Sequence, residues 1–293
     1  NAVYGFASML LKLIADIKPD LLVVAFDKSR ITFRNEVYCQ YKANRKATPT
    51  ELGEQFPLVR FMLEAFGVMT IEREGFEADD LIGTLAVKAA QAGKQTLIVT
   101  GDRDAFQLIG PKIRVMLTKK GISEMEEFDE AILEKKYGLR PSQVVDLKGL
   151  MGDSADNIPG VPGVGEKTAI KLLTQFGTVE NLLANIDEIA GAKLQDKIRN
   201  NADLARLSKQ LATIDCNVSL DFKPVDYLFK GDYQKLSDFF ARYEMKSLQV
   251  RLGELTAGGN QKDQANVLSA LPEIPVVGSG DQMRELGAGL CQS

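Results

Sequence analysis

The sequence contains no histidine among its 293 residues. That excludes serine and cysteine hydrolases that use an imidazole base, and most zinc enzymes. Cysteine is scarce: Cys39, Cys216 and Cys291 lie far apart and are odd in number. Neither a disulfide framework nor a zinc knuckle is indicated, and a reducing cytosol fits. No apolar run approaches the ~20 residues of a membrane span. An overall excess of positive charge is missing too, since the net charge is −4. Any nucleic-acid binding must therefore come from segregated charge. Hydrophobic content of 45% and charged content of 26% are ordinary for a globular protein, and the length suffices for one large or two ordinary domains.

Carboxylates are abundant, and they are placed unevenly. Glu77, Asp79 and Asp80 open a stretch whose apolar Leu81, Ile82, Leu85, Ala86 and Ala89 recur at helical spacing. Gly93 stands where a left-handed cap is wanted. Thr96-Leu97-Ile98-Val99 then reads as a buried strand and runs into Gly101-Asp102-Arg103-Asp104. A helix that starts with acids and a strand that ends with acids share one edge of a βαβ unit, the edge where α/β proteins bind ligands. Two such charges ~4 Å apart repel by roughly 4 kcal/mol at an effective dielectric near 20, so converging acids require protons or a cation. Carboxylates without histidine are hard ligands suited to magnesium or manganese. The ordinary alternative is that these acids only favour a helix dipole or make turns. Leu21 to Phe26 is another continuous apolar run, and it stops at Asp27. The recurrence favours a functional edge.

Between Lys28 and Ala47 stand Lys28, Arg30, Arg34, Lys42, Arg45 and Lys46 against Glu36 alone, interleaved with Phe33, Tyr38 and Tyr41. Cations with interleaved rings suit single-stranded nucleic acid, where phosphates and bases are met together; a solvated basic loop is the competing reading. Thr48-Pro49-Thr50-Glu51 reads as the start of a helix that runs to Phe66 and is closed by Gly67, Val68 to Ile71 and Ile113 to Leu117 read as strands, and Phe128 to Tyr137 as a helix closed by Gly138. Alternating helices and strands over residues 1–137 argue for a mostly parallel sheet with flanking helices.

Strand signals then vanish. Asp153 and Asp156 follow a helix over Pro141 to Met151, and Gly160, Gly163 and Gly165 lead into a helix carrying Lys167 and Thr168. Glycines allow close backbone approach, and the free N–H groups of a helix start bind anions. The spacing fits neither a Walker nor a dinucleotide loop; a helix-hairpin-helix holding a nucleic-acid phosphate fits it. Helices continue to about residue 255, and a Gly-rich, polar linker and an unassigned tail, residues 256–293, complete the sequence.

The motifs VVAFDKSRITFR, YKANRKATP, EGFEADDLIG, TGDRDAFQL and LMGDSADNIPGVPGVGEKTA stand in this order over about residues 1–255. They resemble the 5′-nuclease domain of bacterial polymerase I enzymes, within the flap-endonuclease superfamily. The resemblance implies an α/β, PIN-like nuclease core over 1–143 with a basic arch near 28–50. It also implies a helical DNA-binding region over 144–255 with its helix-hairpin-helix at 158–176. It implies a two-metal 5′-3′ exonuclease and 5′-flap endonuclease acting in replication and repair. Asp27, Glu77, Asp79, Asp80, Asp102, Asp104, Asp153 and Asp156 fall on the metal-ligand positions, for two Mg2+ or Mn2+ ions. Lys42 and Arg45 fall on the catalytic cations. Arg34, Tyr41, Lys42, Arg45, Gly160, Gly163, Gly165, Lys167 and Thr168 fall on DNA contacts, with a K+ ion at the hairpin. The implied partner is nicked or branched DNA with a 5′ flap. The implied setting is a monomer in the bacterial cytoplasm, joined to polymerase modules. Relatives begin with a strand ending in Asp-Gly whose aspartate is a further ligand. The sequence starts after that point, at Asn1, so a fragment lacking one central strand and one acid is expected. A non-catalytic branched-DNA-binding module and a metal-dependent ribonuclease of related architecture remain the competing readings.

Overall fold

The computed structural model describes residues 2–118, 125–259 and 273–277. In chain order, α1 (Ala2–Ile17) leads to β1 (Val23–Ala25), and α2 (Phe33–Val37), α3 (Thr50–Gly53) and α4 (Gln55–Phe66) lead to β2 (Met69–Ile71). Next, α5 (Ala78–Gln91) precedes β3 (Gln95–Thr100), β4 (Ile113–Thr118) and β5 (Met125–Phe128). The helical region contains α6 (Glu130–Tyr137), α7 (Val144–Met151), α8 (Glu166–Phe176), α9 (Val179–Ala184), α10 (Ala192–Asn200) and α11 (Ala202–Ala212). It is followed by α12 (Tyr233–Arg242), α13 (Lys246–Gly259) and β6 (Glu273–Val277).

The sheet order is β2-β1-β6-β3-β4-β5, parallel throughout except for the antiparallel β4–β5 pair. Side chains alternate across it. Leu22, Val24, Phe26, Leu97 and Val99 face one apolar layer with α1, α4, α12 and α13. Val23, Ala25 and Ile98 face the other, with α5 and Phe128. Burial on both faces explains why the central strands read as continuous apolar runs. Residues 139–205 build a separate core around Leu150, Leu172, Leu173, Leu182 and Ile198.

Four expectations need correction. The helix expected to start at Thr48-Pro49-Thr50-Glu51 and run to Phe66 begins at Thr50 and is interrupted at Glu54. Phe128 closes an edge strand and does not start α6, whose N-terminus is capped by Asp129 Oδ1 accepting the Ile132 N–H. The region 144–255 is not one helical unit. Ile214, Val218 and Tyr227 return to the sheet's second layer, and Leu236, Phe239, Phe240, Leu248 and Leu252 to its first. Finally, part of the expected tail module, Glu273–Val277, lies between β1 and β3 in register with both. That is a central position in the sheet. The remainder of the expected linker and tail beyond Gly259 lies outside the described residues.

Candidate active site

The carboxyl ends of β1 and β3 and the start of α5 bring acids together because all three meet at one sheet edge. Asp27 Oδ1 accepts the Ala78 N–H at 2.7 Å, so the acid after β1 holds the first turn of α5. Asp79, in that turn, faces Asp102, Asp27 and Glu77; burial and then these charges push its carboxyl well above the usual range. Asp102 lies two residues after β3 and accepts the Asp104 N–H at 2.8 Å. Burial, followed by the charge of Asp102, raises Asp104 to about 7 even with Lys148 opposing the shift. Asp104 Oδ1 lies buried with the Lys148 ammonium 2.7 Å away.

Asp153 and Asp156 join from the helical region. The loop that carries them closes through paired hydrogen bonds between Asp153 and Ile158, N–H to carbonyl at 2.9 and 2.8 Å. Lys148, on α7, bridges Asp104 and Asp153. Burial alone would raise Asp153, but the contact with Lys148 holds it below the usual carboxylate range. Lys148 was not singled out in the sequence; its signal is a lone cation in the largely apolar α7 segment, five residues before an acid.

The basic segment that follows α2 supplies the remaining cations. Lys42 Nζ lies 2.7 Å from Glu77 Oε1 and 3.6 Å from Asp156 Oδ2, and Arg45 Nη2 lies 2.6 Å from Asp156 Oδ1. Burial would lower Lys42, yet the charges of Glu77 and Asp156 keep its ammonium above the ordinary lysine value. The Tyr41 hydroxyl sits 3.3 Å from both Glu77 Oε2 and Asp156 Oδ2, and Tyr41 is buried. The Lys42 N–H donates to the Asp156 carbonyl, and Asn157 Nδ2 donates to the Gln40 carbonyl. These contacts dock residues 40–42 on the Asp153–Ile158 loop. Above them opens a cleft of about 380 Å3, lined by Asp27, Lys28, Arg30, Tyr41, Lys42, Arg45 and Glu77.

Apart from Asp80, the expected ligands therefore lie along one linked set of contacts, with cations already among them. Among the described residues, no three acids stand grouped closely enough to hold an ion as they are. Their chemistry nonetheless fits a hard divalent cation: they are oxygen donors only, Asp104 is buried against a lysine, and Asp79 is strained by like charge.

Asp80 and Arg34 do not join them. Asp80 is fully buried, and its two oxygens accept from Arg34 Nη1 and Nη2 and from the Glu77 and Asp215 N–H groups. Four partners saturate a carboxylate, which removes Asp80 from the ligand set. Arg34, 3% exposed, is spent on the same contact and cannot meet DNA.

The hairpin glycines divide as well. Gly160 is buried at φ +60°, its N–H donates to Ser208 Oγ at 2.8 Å, and a Cβ there would lie 2.2 Å from Gly152 N. Its role is backbone packing, not a DNA contact. Gly163, Gly165 and Lys167 are exposed at the start of α8, with Thr168 beside them, half-buried.

Comparison with known proteins bears on the same region. A family described as "5′-3′ exonuclease, N-terminal resolvase-like domain" matches residues 1–138, and one described as "5′-3′ exonuclease, C-terminal SAM fold" matches residues 139–235. The chain is 50% identical over 253 residues to a DNA polymerase I from Bacillus caldotenax, covering 86% of this chain and 29% of that protein. It is 45% identical over 262 residues to the DNA polymerase I of Bacillus subtilis, covering 89% and 30%. It thus spans under a third of the length of these relatives. Among solved structures, zinc-bound T5 5′-exonuclease aligns with a TM-score of 0.62 at 19% identity, covering 87% of this chain and 90% of that one. The catalytic core of Rad2 in complex with DNA substrate aligns with a TM-score of 0.55 at 19% identity, covering 87% and 84%. At these identities the likeness shows the fold.

Proposed function

This chain belongs to the 5′-3′ exonuclease family, and on that footing we propose that it hydrolyses DNA phosphodiester bonds at nicks and junctions carrying a 5′ end or 5′ flap. The observation that carries the proposal is that acids and cations from three parts of the chain are linked by direct contacts. Asp27, Glu77, Asp79, Asp102 and Asp104 come from the sheet edge, Asp153 and Asp156 from the loop ahead of the hairpin, and Lys42 and Arg45 from the arch.

In this reading the acids hold divalent cations, two Mg2+ or Mn2+ ions. When bound, such ions lower the pKa of a water and stabilise the leaving oxygen. The chain's own residues do the rest. Lys42 and Arg45, now 2.7 and 2.6 Å from Glu77 and Asp156, are freed for the non-bridging oxygens of the scissile phosphate. There they offset charge that grows toward the transition state. The exposed backbone around Gly163 and Gly165, with Lys167, would hold a duplex phosphate at the start of α8, together with a K+ ion. Such a contact sets position without reading sequence. The closed Asp153–Ile158 loop ties that hold to the cleft over a few residues. The wider setting we propose is a bacterial DNA polymerase I that removes primers and repairs nicks in the cytoplasm.

The test is a panel of equal-sequence substrates in Mg2+: a 5′ DNA flap, a 5′ RNA flap and a 3′ DNA flap. The proposal expects the 5′ DNA flap to be cut near its junction and the 3′ flap to stay intact. Faster cutting of RNA without junction preference would give the ribonuclease reading instead.

A further inference from the structure

We propose that Arg34 and Asp80 are a positioning pair that fixes where the strand is cut relative to the hairpin's hold on the duplex. The inference rests on the nuclease reading above.

The two side chains form a two-pronged contact. Arg34 Nη1 lies 2.8 Å from Asp80 Oδ2, and Nη2 lies 2.7 Å from Asp80 Oδ1. The guanidinium also donates from Nε to the Leu211 carbonyl at 3.0 Å and from Nη2 to the Thr213 carbonyl at 2.7 Å. Asp80 in turn accepts the Glu77 N–H at 3.0 Å and the Asp215 N–H at 2.8 Å. Three parts of the molecule therefore meet at one buried ion pair: the arch base on α2, the acidic first turn of α5, and the end of α11.

Each part leads to a working surface. On the arch side, α2 precedes Lys42, whose ammonium rests on Glu77. On the sheet side, Asp80 fixes the backbone of Glu77 itself. On the helical side, α11 carries Ser208, whose hydroxyl accepts the Gly160 N–H three residues before the exposed Gly163. α11 also carries Lys209, which lies 2.6 Å from the buried Asp146 of α7. A second path from hairpin to acid cluster, beside the short one through the Asp153–Ile158 loop, thus runs along α11 and through the Arg34 guanidinium.

A buried ion pair is weak support for stability, because well-packed apolar residues often replace it at no loss. Arg34 is suited to register for a different reason: its planar fork fixes direction as well as distance, which a lysine at the same place does not. A slip at this joint would move the acids relative to the hairpin and so change which phosphate lies in the cleft.

The test compares wild type with Arg34→Lys and with a double variant, Arg34→Met with Asp80→Leu, which removes both charges together and leaves no buried charge unpaired. Cut positions are mapped on a 5′-labelled DNA flap, Mn2+ binding is measured by electron paramagnetic resonance, and exchange is followed at the Glu77 and Asp215 amides. The proposal expects wild type to cut at one dominant phosphate and both variants to spread the cut over neighbouring phosphates. It expects Mn2+ affinity within about threefold of wild type, and Asp215 exchange faster by about tenfold or more. A variant that loses only rate or melting temperature and keeps the single cut position overturns the inference. A fall in Mn2+ affinity of about tenfold or more in the double variant, with the single cut position kept, overturns it as well, since the pair would then serve the metal acids and not the cut position. A wild-type protein that cuts no flap would overturn the nuclease reading itself, which separates the two failures.

Discussion

Lys148 shows what a single residue does here. It stands between Asp104 and Asp153, so two acids share one ammonium. Lys148→Met would leave both without that charge and should cost the metal-free protein about 1–3 kcal/mol, less than for a fully buried pair because the site is partly wet. Thermal unfolding in EDTA checks this, and added Mg2+ should recover much of the loss. Asp104 gives the pH dependence. Its folded value of about 7 stands above the ordinary 3.8, so the folded protein holds an extra proton between those limits. The stabilisation is complete below pH 4 and is lost as pH rises through 7. A proton competes with a cation for the same oxygens. The rise in melting temperature on adding Mg2+ should therefore be larger at pH 8 than at pH 6. Equal rises at both would show that Asp104 is no part of the cation site.

Among the elements, the hairpin separates residues that look alike in the sequence. Gly160→Ala places a Cβ 2.2 Å from Gly152 N at a left-handed backbone position. It should cost about 3 kcal/mol in unfolding free energy. Gly165→Ala meets nothing within 4 Å at an ordinary extended backbone position. It should change stability by less than about 0.5 kcal/mol and act, if at all, on DNA affinity; denaturant unfolding and flap binding measured together separate the two. The sequence could not make this distinction, because Gly160 is fixed by the fold-back onto Met151 and Gly152 and by a hydrogen bond to Ser208, far along the chain. What it did make legible were elements with strong local signals. Gly67 and Gly138 close α4 and α6 in left-handed conformations, and the apolar runs of β1 and β3 become central strands. The strand β5, with two glutamates in four residues, carries no such signal and is made by pairing with β4.

At the scale of the whole molecule, the chain is woven rather than strung. The segment after α11 runs back through Asp215, Val218 and Tyr227 to the sheet, α12 and α13 pack beside α1, and β6 enters the sheet between β1 and β3. Local patterning does not reveal such returns, so the sequence reading divides the chain too cleanly at residue 143. The same weave hid the Arg34–Asp80 contact, because both residues match family motifs and only their burial shows that they face each other. The account as a whole stands on the acid cluster being the cutting site and the hairpin the anchor. The most direct measurement is cleavage of a 5′-labelled double-flap DNA by wild type and by Asp102→Ala in Mg2+, with EDTA as control and flap binding followed by fluorescence anisotropy in Ca2+. The account predicts product only with Mg2+, a loss of about 100-fold or more in the variant, and flap binding within about threefold of wild type. Product in EDTA, or a variant that cuts as well as wild type, would contradict it. Tight binding with no product at any Mg2+ concentration would make the chain a branched-DNA-binding module.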